Sequence, residues 1–368
     1  MSLAVNEQRH CLWLAEGQQP LCKKGNGCSI HVSDFILETT GRLALNEQQL
    51  QAQACLPQAN HLKVTDAWKI IYPGKNGDAW WDMPQLLMQM EAAVSIFEYL
   101  HPSAVGVWMF DCSSAHEAMA PNALIAKWMN LKPGGKQPKM QDTRIPLNNP
   151  LPKLGDPDTR GMLQSMVFPN DHTDPALQGQ PKGLWKVLQE CKSVWDHLCA
   201  AVGGEKKVKT TCAVCKQSQQ EKDWLACVAA TEHAEGDQGT LAPVALVRES
   251  PSNVCCMVCT MSQQEDFRNE KPLIQTYLED HGHITIFLPK FHCELAAIEM
   301  YWRWTKHSKS LFIFEFGFFI HNASEYHACL DSKFTSAKVL VPKILDSVEI
   351  KLIRRFFHKA WHYMDAYE

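Results

Sequence analysis

Two acidic residues stand where the surrounding sequence could hold a metal ion. Asp111 follows the apolar run 105–110, and Glu299 follows Ala-Ala-Ile and precedes Met-Tyr-Trp. The first pattern is typical of a buried strand that ends on a carboxylate, and the second of a helix whose apolar face carries an acid. Phosphoryl-transfer sites with two Mg²⁺ ions need hard oxygen ligands on rigid elements. The pair predicts a Mg²⁺ or Mn²⁺ site with Asp111 and Glu299 as catalytic residues and metal ligands.

Each acid also has a simpler structural interpretation. Asp111 precedes two serines, and aspartate in such a context commonly caps the turn or helix that follows. Glu299 taken alone fits a partly exposed glutamate on a helix. The pair favours metal binding more than either residue does by itself.

Cysteines form the second group with metal-ligand spacing. Cys212-Ala-Val-Cys215 and Cys255-Cys-Met-Val-Cys259 supply five thiols in two knuckle-like groups. A Cys₄ zinc site built from Cys212, Cys215, Cys256 and Cys259 is sterically ordinary, and Cys255 could replace Cys256. Its role would be to staple a segment with little apolar content. The alternative is a set of reduced cysteines without a metal.

Basic residues that could contact phosphates occur in two places. Lys132 and Lys136 lie in a Gly-rich loop, and Arg354 and Arg355 lie on the last predicted helix. The formal net charge of −4 gives no global basic field, so any contact with DNA must come from such local patches. The simpler interpretation of the last helix is a solvated basic face above an apolar packing face.

Composition predicts a folded intracellular protein. The chain has 368 residues, of which 45% are hydrophobic, so it can bury a substantial core. Fifteen irregularly spaced cysteines and a first segment without signal-peptide features favour a reducing compartment, the nucleus or the cytoplasm. The most apolar segment, 311–320, contains a glutamate and is too short to span a bilayer, so we expect no membrane role. The sequence leaves open whether the chain forms a homodimer.

Hydrophobic periodicity predicts an α/β architecture around the two acids. The expected elements are antiparallel strands within the first 45 residues, a helix at 46–56, a strand at 68–72, a helix at 83–100, a helix at 181–201, a strand at 283–288 and a basic helix at 348–367. Pro, Gly, Cys and polar residues dominate between them. The predicted domains are 1–130, an insertion at 131–275 with the cysteines, and 276–368.

An ordered set of motifs resembles a known family over nearly the whole chain. The motifs are Phe-Asp111-Cys-Ser-Ser-Ala-His116, Met129-Asn-Leu-Lys-Pro-Gly-Gly-Lys136, Phe168-Pro-Asn-Asp-His172, Pro181-Lys-Gly-Leu184, Phe287-Leu-Pro-Lys-Phe-His-Cys-Glu294-Leu-Ala-Ala-Ile-Glu299-Met-Tyr-Trp302, and the segment from Ile353-Arg-Arg-Phe to Trp361-His-Tyr-Met-Asp-Ala-Tyr367. This ordered set resembles the fungal DDE endonuclease-like proteins, which are similar to mariner-type transposases with an RNase H-like catalytic core.

The resemblance implies an RNase H-like core and a role for each acid. Asp111 corresponds to the acid after the second core strand, with His116 at the family's spacing, and Glu299 corresponds to the acid of the last core helix. Glu294 and Ala296 stand where the more common form of the family's motif has an aspartate and an asparagine. The implied activity is Mg²⁺-dependent DNA cleavage and strand transfer by a transposon-derived enzyme.

The sequence departs from the family pattern in three places. The family's first aspartate is expected upstream of the region that begins here at Asn6, and Asp34 is a poor substitute for it. The family's DNA-reading helix-turn-helix region is not found. The Phe-rich segment 307–331 interrupts the region where the family runs from its Glu-bearing helix into a basic segment. We interpret it as a translated intron or, alternatively, as a genuine strand or docking element. We therefore expect impaired catalysis, with a non-catalytic binding module as the alternative.

Overall fold

Residues far apart in sequence meet in the first of two units into which the chain divides. The computed structural model describes residues 2–4, 29–74, 77–216, 254–307 and 334–367. Unit 1 comprises Met1–Ala118 and Pro272–Glu368, and unit 2 comprises Met119–Lys271. These boundaries differ from those predicted at 130 and 275, because Leu124 and Met129 already pack in the core of unit 2 and Ile274 in that of unit 1.

The helices and strands are short apart from two long helices. The strands are β1 Ser2–Ala4, β2 Ser29–Ser33, β3 Ile36–Leu37, β4 Gly41–Arg42, β5 Lys69–Ile71, β6 Val107–Phe110, β7 Thr143–Arg144, β8 Leu163–Gln164 and β9 Ile284–Phe287. The helices are α1 Glu47–Ala54, α2 Met83–Leu100, α3 Leu184–Glu190, α4 Lys192–Val202, α5 Met257–Ser262, α6 Glu265–Arg268, α7 Leu273–Asp280, α8 Ala297–His307, α9 Phe334–Asp346 and α10 Ile350–Tyr367. The region that begins at Asn6 and residues 308–331 of the Phe-rich segment lie outside the described residues.

The described strands of unit 1 form small separate sheets. Strand β2 pairs antiparallel with β1 and β5, and β3 pairs with β4. Strand β6 pairs in parallel with β9, in a register that sets Val107 against Ile284 and Phe110 against Phe287. The architecture is therefore mixed, with helices and small sheets, and the RNase H-like core stays a prediction.

Helix α2 supports the parallel strand pair. The Asp82 side chain accepts a hydrogen bond from Gln85 N and caps the helix, whose first turn contains proline. Its buried residues pack against Trp108 and Phe110 of β6 and against Ile274 of α7. Each large apolar side chain buried in this way contributes roughly 1.5–3 kcal/mol. This packing holds the strand that precedes Asp111.

A second core of unit 1 fixes the helix that carries Glu299. Tyr301 of α8 is fully buried and donates a hydrogen bond from its hydroxyl to Leu345 O at 3.2 Å. It packs with Ile30 and Val32 of β2 and with Ile353 of α10. The start of α8 is thus tied to the strand layer and to the last helix.

Unit 2 has its own core around α3 and α4. Leu184, Leu188 and Leu198 are fully buried there, together with Met261 of α5. The single helix predicted over 181–201 is wrong, because the chain forms two helices that meet at Cys191, whose φ and ψ of −85° and 65° are not helical. No helix in the described part of either unit is long and apolar enough to cross a membrane.

Candidate functional site

Asp111 lies directly after β6 and is held as an ionised carboxylate. Its Oδ1 accepts hydrogen bonds from Ser113 N at 3.3 Å and from His116 Nδ1. The hydrogen bond from His116 lowers the pKa of the Asp111 carboxyl, against the opposing effect of burial. The hydrogen bond from Ser113 N shows that Asp111 also caps the turn that follows it, which is the simpler structural role considered for this residue. The Asp111 side chain is 54% exposed, so a cation can reach it from the solvent.

The parallel pairing of β6 with β9 brings the segment that leads to Glu299 beside the end of the strand that precedes Asp111. Leu288 N donates to Phe110 O at 2.8 Å, so the pairing continues to the point where both strands end. A short 3₁₀ turn, Cys293–Leu295, then leads into α8, where Glu299 occupies the first turn. Both acids line one cleft of about 690 Å³, entirely within unit 1. The two predicted catalytic residues therefore share a site.

Glu294 is a third acid of this cleft that sequence reasoning did not assign to the site. Its Oε1 accepts hydrogen bonds from His292 Nδ1 at 2.8 Å and from the Tyr367 hydroxyl at 2.7 Å. Burial opposes ionisation, yet these hydrogen bonds lower the pKa of Glu294 overall. The signal available in the sequence was its position five residues before Glu299.

The three acids line the cleft without converging on one point. Within the described ranges, Asp111, Glu294 and Glu299 do not form a group whose ligand atoms all lie within 4.8 Å of one another. The cleft thus offers separate carboxylates rather than a closed three-acid cage. A divalent ion there would keep several waters, as Mg²⁺ commonly does.

Asp34 is held by structural contacts rather than offered as a ligand. Its two oxygens accept from Phe35 N at 2.9 Å and from Arg42 Nε at 2.8 Å. Burial raises the pKa of the Asp34 carboxyl to about 6, against the attraction of Arg42. The residue lines a smaller cavity together with Asp111 and Glu299. Both Asp34 oxygens are therefore engaged by groups of the protein, which argues against metal binding by this residue.

The walls of the larger cleft carry aromatic and basic side chains. Trp80, Trp81 and Trp302 line it, as do the exposed cations Arg303 and Lys359. Sequence reasoning did not assign Trp80, Trp81 or Arg303 to the site. The adjacent tryptophans just before the α2 cap were the available signal.

The predicted phosphate contacts are divided between the two units. Lys132 and Lys136 are exposed in unit 2. In unit 1, Arg354 donates from Nε to Glu38 O at 3.1 Å and from Nη2 to Thr39 O at 3.0 Å. Arg354 thus anchors α10 to the turn between β3 and β4, while Arg355 is exposed. The basic residue of α10 that lines the cleft is Lys359.

Four cysteines of unit 2 form a cluster that could hold a metal ion. The Sγ atoms of Cys212, Cys215, Cys255 and Cys256 all lie within 4.8 Å of one another. The Sγ of Cys255 lies 3.4 Å from Cys215, 3.7 Å from Cys212 and 3.9 Å from Cys256. Four sulfurs at about 2.3 Å from a tetrahedral zinc ion would be about 3.8 Å apart. The observed spacings fit that geometry.

The cluster differs from the predicted ligand set in one member. Cys255 stands in the cluster where Cys259 was expected, because Cys255 and Cys256 both precede α5 and Cys256 occupies its N-cap. Cys259 lies one turn into the helix, hydrogen-bonded to Cys255 and Cys215. Burial raises the pKa of the Cys215 and Cys256 thiols. It also raises the pKa of the Cys259 thiol, to about 11. A divalent cation supplies the charge that such thiols need in order to ionise.

No family model, curated protein or solved structure matches this chain. The resemblance to DDE transposases accordingly stays a prediction, and the chemistry must be argued from the two sites themselves. One site offers carboxylate oxygens, which suit Mg²⁺ or Mn²⁺, and the other offers sulfur, which suits Zn²⁺.

Proposed function

We propose that the cleft of unit 1 is a metal-dependent site for cleavage of DNA phosphodiester bonds, of the kind that the resemblance to DDE enzymes implies. The observation that supports this most strongly is the shared cleft of Asp111 and Glu299, reached through the parallel pairing of β6 and β9. A strand-end aspartate and a helix-borne glutamate on packed elements are suited to hold a divalent ion rigidly.

The residues of the cleft would have different roles in such a reaction. Asp111 and Glu299 would hold Mg²⁺ or Mn²⁺, and His116 orients the Asp111 carboxylate through Oδ1. When bound, the ion stabilises the negative charge that builds up on a phosphoryl group. Because Asp34 is occupied by Arg42, we assign two carboxylates to the ion, those of Asp111 and Glu299, and we infer weak catalysis rather than efficient two-metal clamping.

The proposal is tested by Mg²⁺- or Mn²⁺-dependent nicking of supercoiled DNA. Asp111→Asn and Glu299→Gln keep the side-chain shape and remove the charge, so we expect both to lower the nicking rate. Equal nicking rates in wild type and both variants would show that Asp111 and Glu299 are not part of the active site.

A second function, favoured by the sulfur spacings, is a non-catalytic binding module stapled by Zn²⁺ in unit 2. The cluster joins the segment before Cys212 to the start of α5, where Met257 N donates to Lys209 O and Val258 N to Thr210 O, both at 3.0 Å. A structural zinc ion at this point would stabilise the packing of α5 on α3 and α4.

Metal analysis of the purified full chain tests the zinc proposal. We expect one zinc ion per chain, and its loss in the double variant Cys212→Ser with Cys255→Ser, because two of four sulfur ligands are removed. Cys55→Ser, which changes an exposed cysteine of unit 1, serves as the matched control. Zinc retained at wild-type stoichiometry in the double variant would refute the assignment.

A further inference from the structure

Trp80 presents an exposed indole on a rigid support. Its side chain is 65% exposed, whereas the neighbouring Trp81 packs against the core of unit 1 and stacks on His31 at 5.6 Å between ring centroids. On the other side, Asp82 caps α2. An indole that is both exposed and held in place by anchored neighbours loses little conformational entropy when a flat ligand stacks on it.

The charged residues that line the cleft together with Trp80 indicate which flat ligand the cleft fits. Arg303 and Lys359 line the same cleft and are exposed to solvent, while Asp111 and Glu299 line it with negative charge. An aromatic platform with nearby cations is the combination by which proteins bind single-stranded nucleic acid, since bases stack on the ring and phosphates contact the cations. The acids would repel phosphates unless a divalent ion lay between them.

The form of nucleic acid follows from the geometry of stacking. In a duplex both faces of each base are covered by neighbouring bases, so an indole can stack only on a base that is unpaired or turned out of the helix. A cleft of about 690 Å³ lies in the range of sites that enclose a small molecule, which suits a flat group of nucleobase size.

We propose that the cleft binds an unpaired DNA base stacked on Trp80, with the adjoining phosphates contacting Arg303 and Lys359. This inference rests on the proposed function, because the stacked base belongs to the strand whose backbone would meet Asp111 and Glu299. It adds a substrate preference: the cleft selects single-stranded or locally unpaired DNA over intact duplex.

Binding of a fluorescein-labelled single-stranded oligonucleotide, measured by anisotropy with Ca²⁺ in place of Mg²⁺ or Mn²⁺, tests the inference through affinity and not through a cleavage rate. Loss of one stacked base should weaken binding roughly 5- to 150-fold in Trp80→Ala. Trp80→Phe should retain most of the affinity, because the ring remains. Trp185→Ala, which removes a partly exposed tryptophan of unit 2, should bind as wild type does.

An oligonucleotide with abasic positions separates stacking from charge. Wild type should bind it more weakly than the normal strand, and Trp80→Ala should bind the two alike. Equal affinity of wild type and Trp80→Ala for the normal strand, or equal affinity of wild type for duplex and single strand, would overturn the inference. Either result can occur with normal nicking, and it would then overturn the stacking inference alone. Equal nicking by wild type and Asp111→Asn, with binding that still depends on Trp80, would instead count against the cleavage function alone.

Discussion

Arg42 is the cation that pairs with the buried carboxylate of Asp34 in unit 1. Its guanidinium contacts the carboxylates of Asp34 and Asp66, each at 2.8 Å, and that of Asp346, and lies 4.1 Å from the centre of the Trp68 ring. Asp34 has no exposed side-chain surface, so it relies on this partner to remain charged. The contact also keeps Asp34 away from metal binding.

Arg42→Met should destabilise unit 1 by about 3–5 kcal/mol, because it leaves Asp34 buried without its cation. Urea unfolding monitored by tryptophan fluorescence measures the change. Arg160→Met removes the same charge from the exposed pair with Asp158 in unit 2 and should have no measurable effect. Similar unfolding midpoints for all three proteins would show that the buried pair is not needed for stability.

At the scale of elements, His283 links the two parallel strands. Gly106 N donates to His283 Nδ1 at 3.2 Å, and the ring packs edge-on against Phe97. Burial lowers the pKa of His283, the nearby charge of His281 adds to this, and Glu98, whose Oε1 lies 3.7 Å from Nε2, opposes it. The neutral ring is the form that can accept from Gly106.

The lowered pKa of His283 predicts the direction of a pH effect on stability. Below about pH 6.5 the unfolded chain takes up a proton at this histidine that the folded chain does not, so stability falls as pH falls toward the folded pKa. His283→Asn keeps an acceptor and removes the titration, so its stability should fall less between about pH 7 and pH 5.5. Urea unfolding at several pH values, with His172→Asn as the control, measures the difference. Parallel curves for wild type and His283→Asn would contradict this account.

Helix α2 and the β6 and β9 strands were predictable from the sequence because their apolar spacing is local and regular. The predicted helix at 83–100 matches α2, and the predicted strand at 283–288 contains β9. The break between α3 and α4 at Cys191 was not predictable, since the apolar positions run through it without interruption. Local patterns do not record a change of backbone direction imposed by packing.

The candidate sites show the same division between local and long-range information. Asp111 and Glu299 were recognised from their strand-end and helix-face positions, but their shared cleft depends on the long-range pairing of β6 with β9. The replacement of Cys259 by Cys255 depends on where α5 begins, and spacing alone cannot give that point. Glu294 and Trp80 belong to the cleft through contacts between distant segments, which no short motif encodes.

At the scale of the whole molecule, the two units offer metals different ligands. Unit 1 presents carboxylates in a cleft with aromatic and basic walls, and unit 2 presents thiols beside its apolar core. Hard and soft ligand sets of this kind select different ions, so a chelator that removes zinc should leave the ligands of unit 1 unchanged. The nicking rate and the zinc content can therefore be measured one at a time in the same protein.

The rate of nicking of supercoiled plasmid in Mg²⁺ or Mn²⁺ tests the central claim most directly, with four proteins compared side by side. Asp111→Asn and Glu299→Gln should each lower the rate at least about 10-fold, since loss of a ligand should cost no less than loss of an outer-shell partner. Glu91→Gln, which changes an exposed acid of α2 outside the cleft, should nick as wild type does. Nicking by Asp111→Asn and Glu299→Gln at the rate of Glu91→Gln would contradict the assignment of the cleft as the active site.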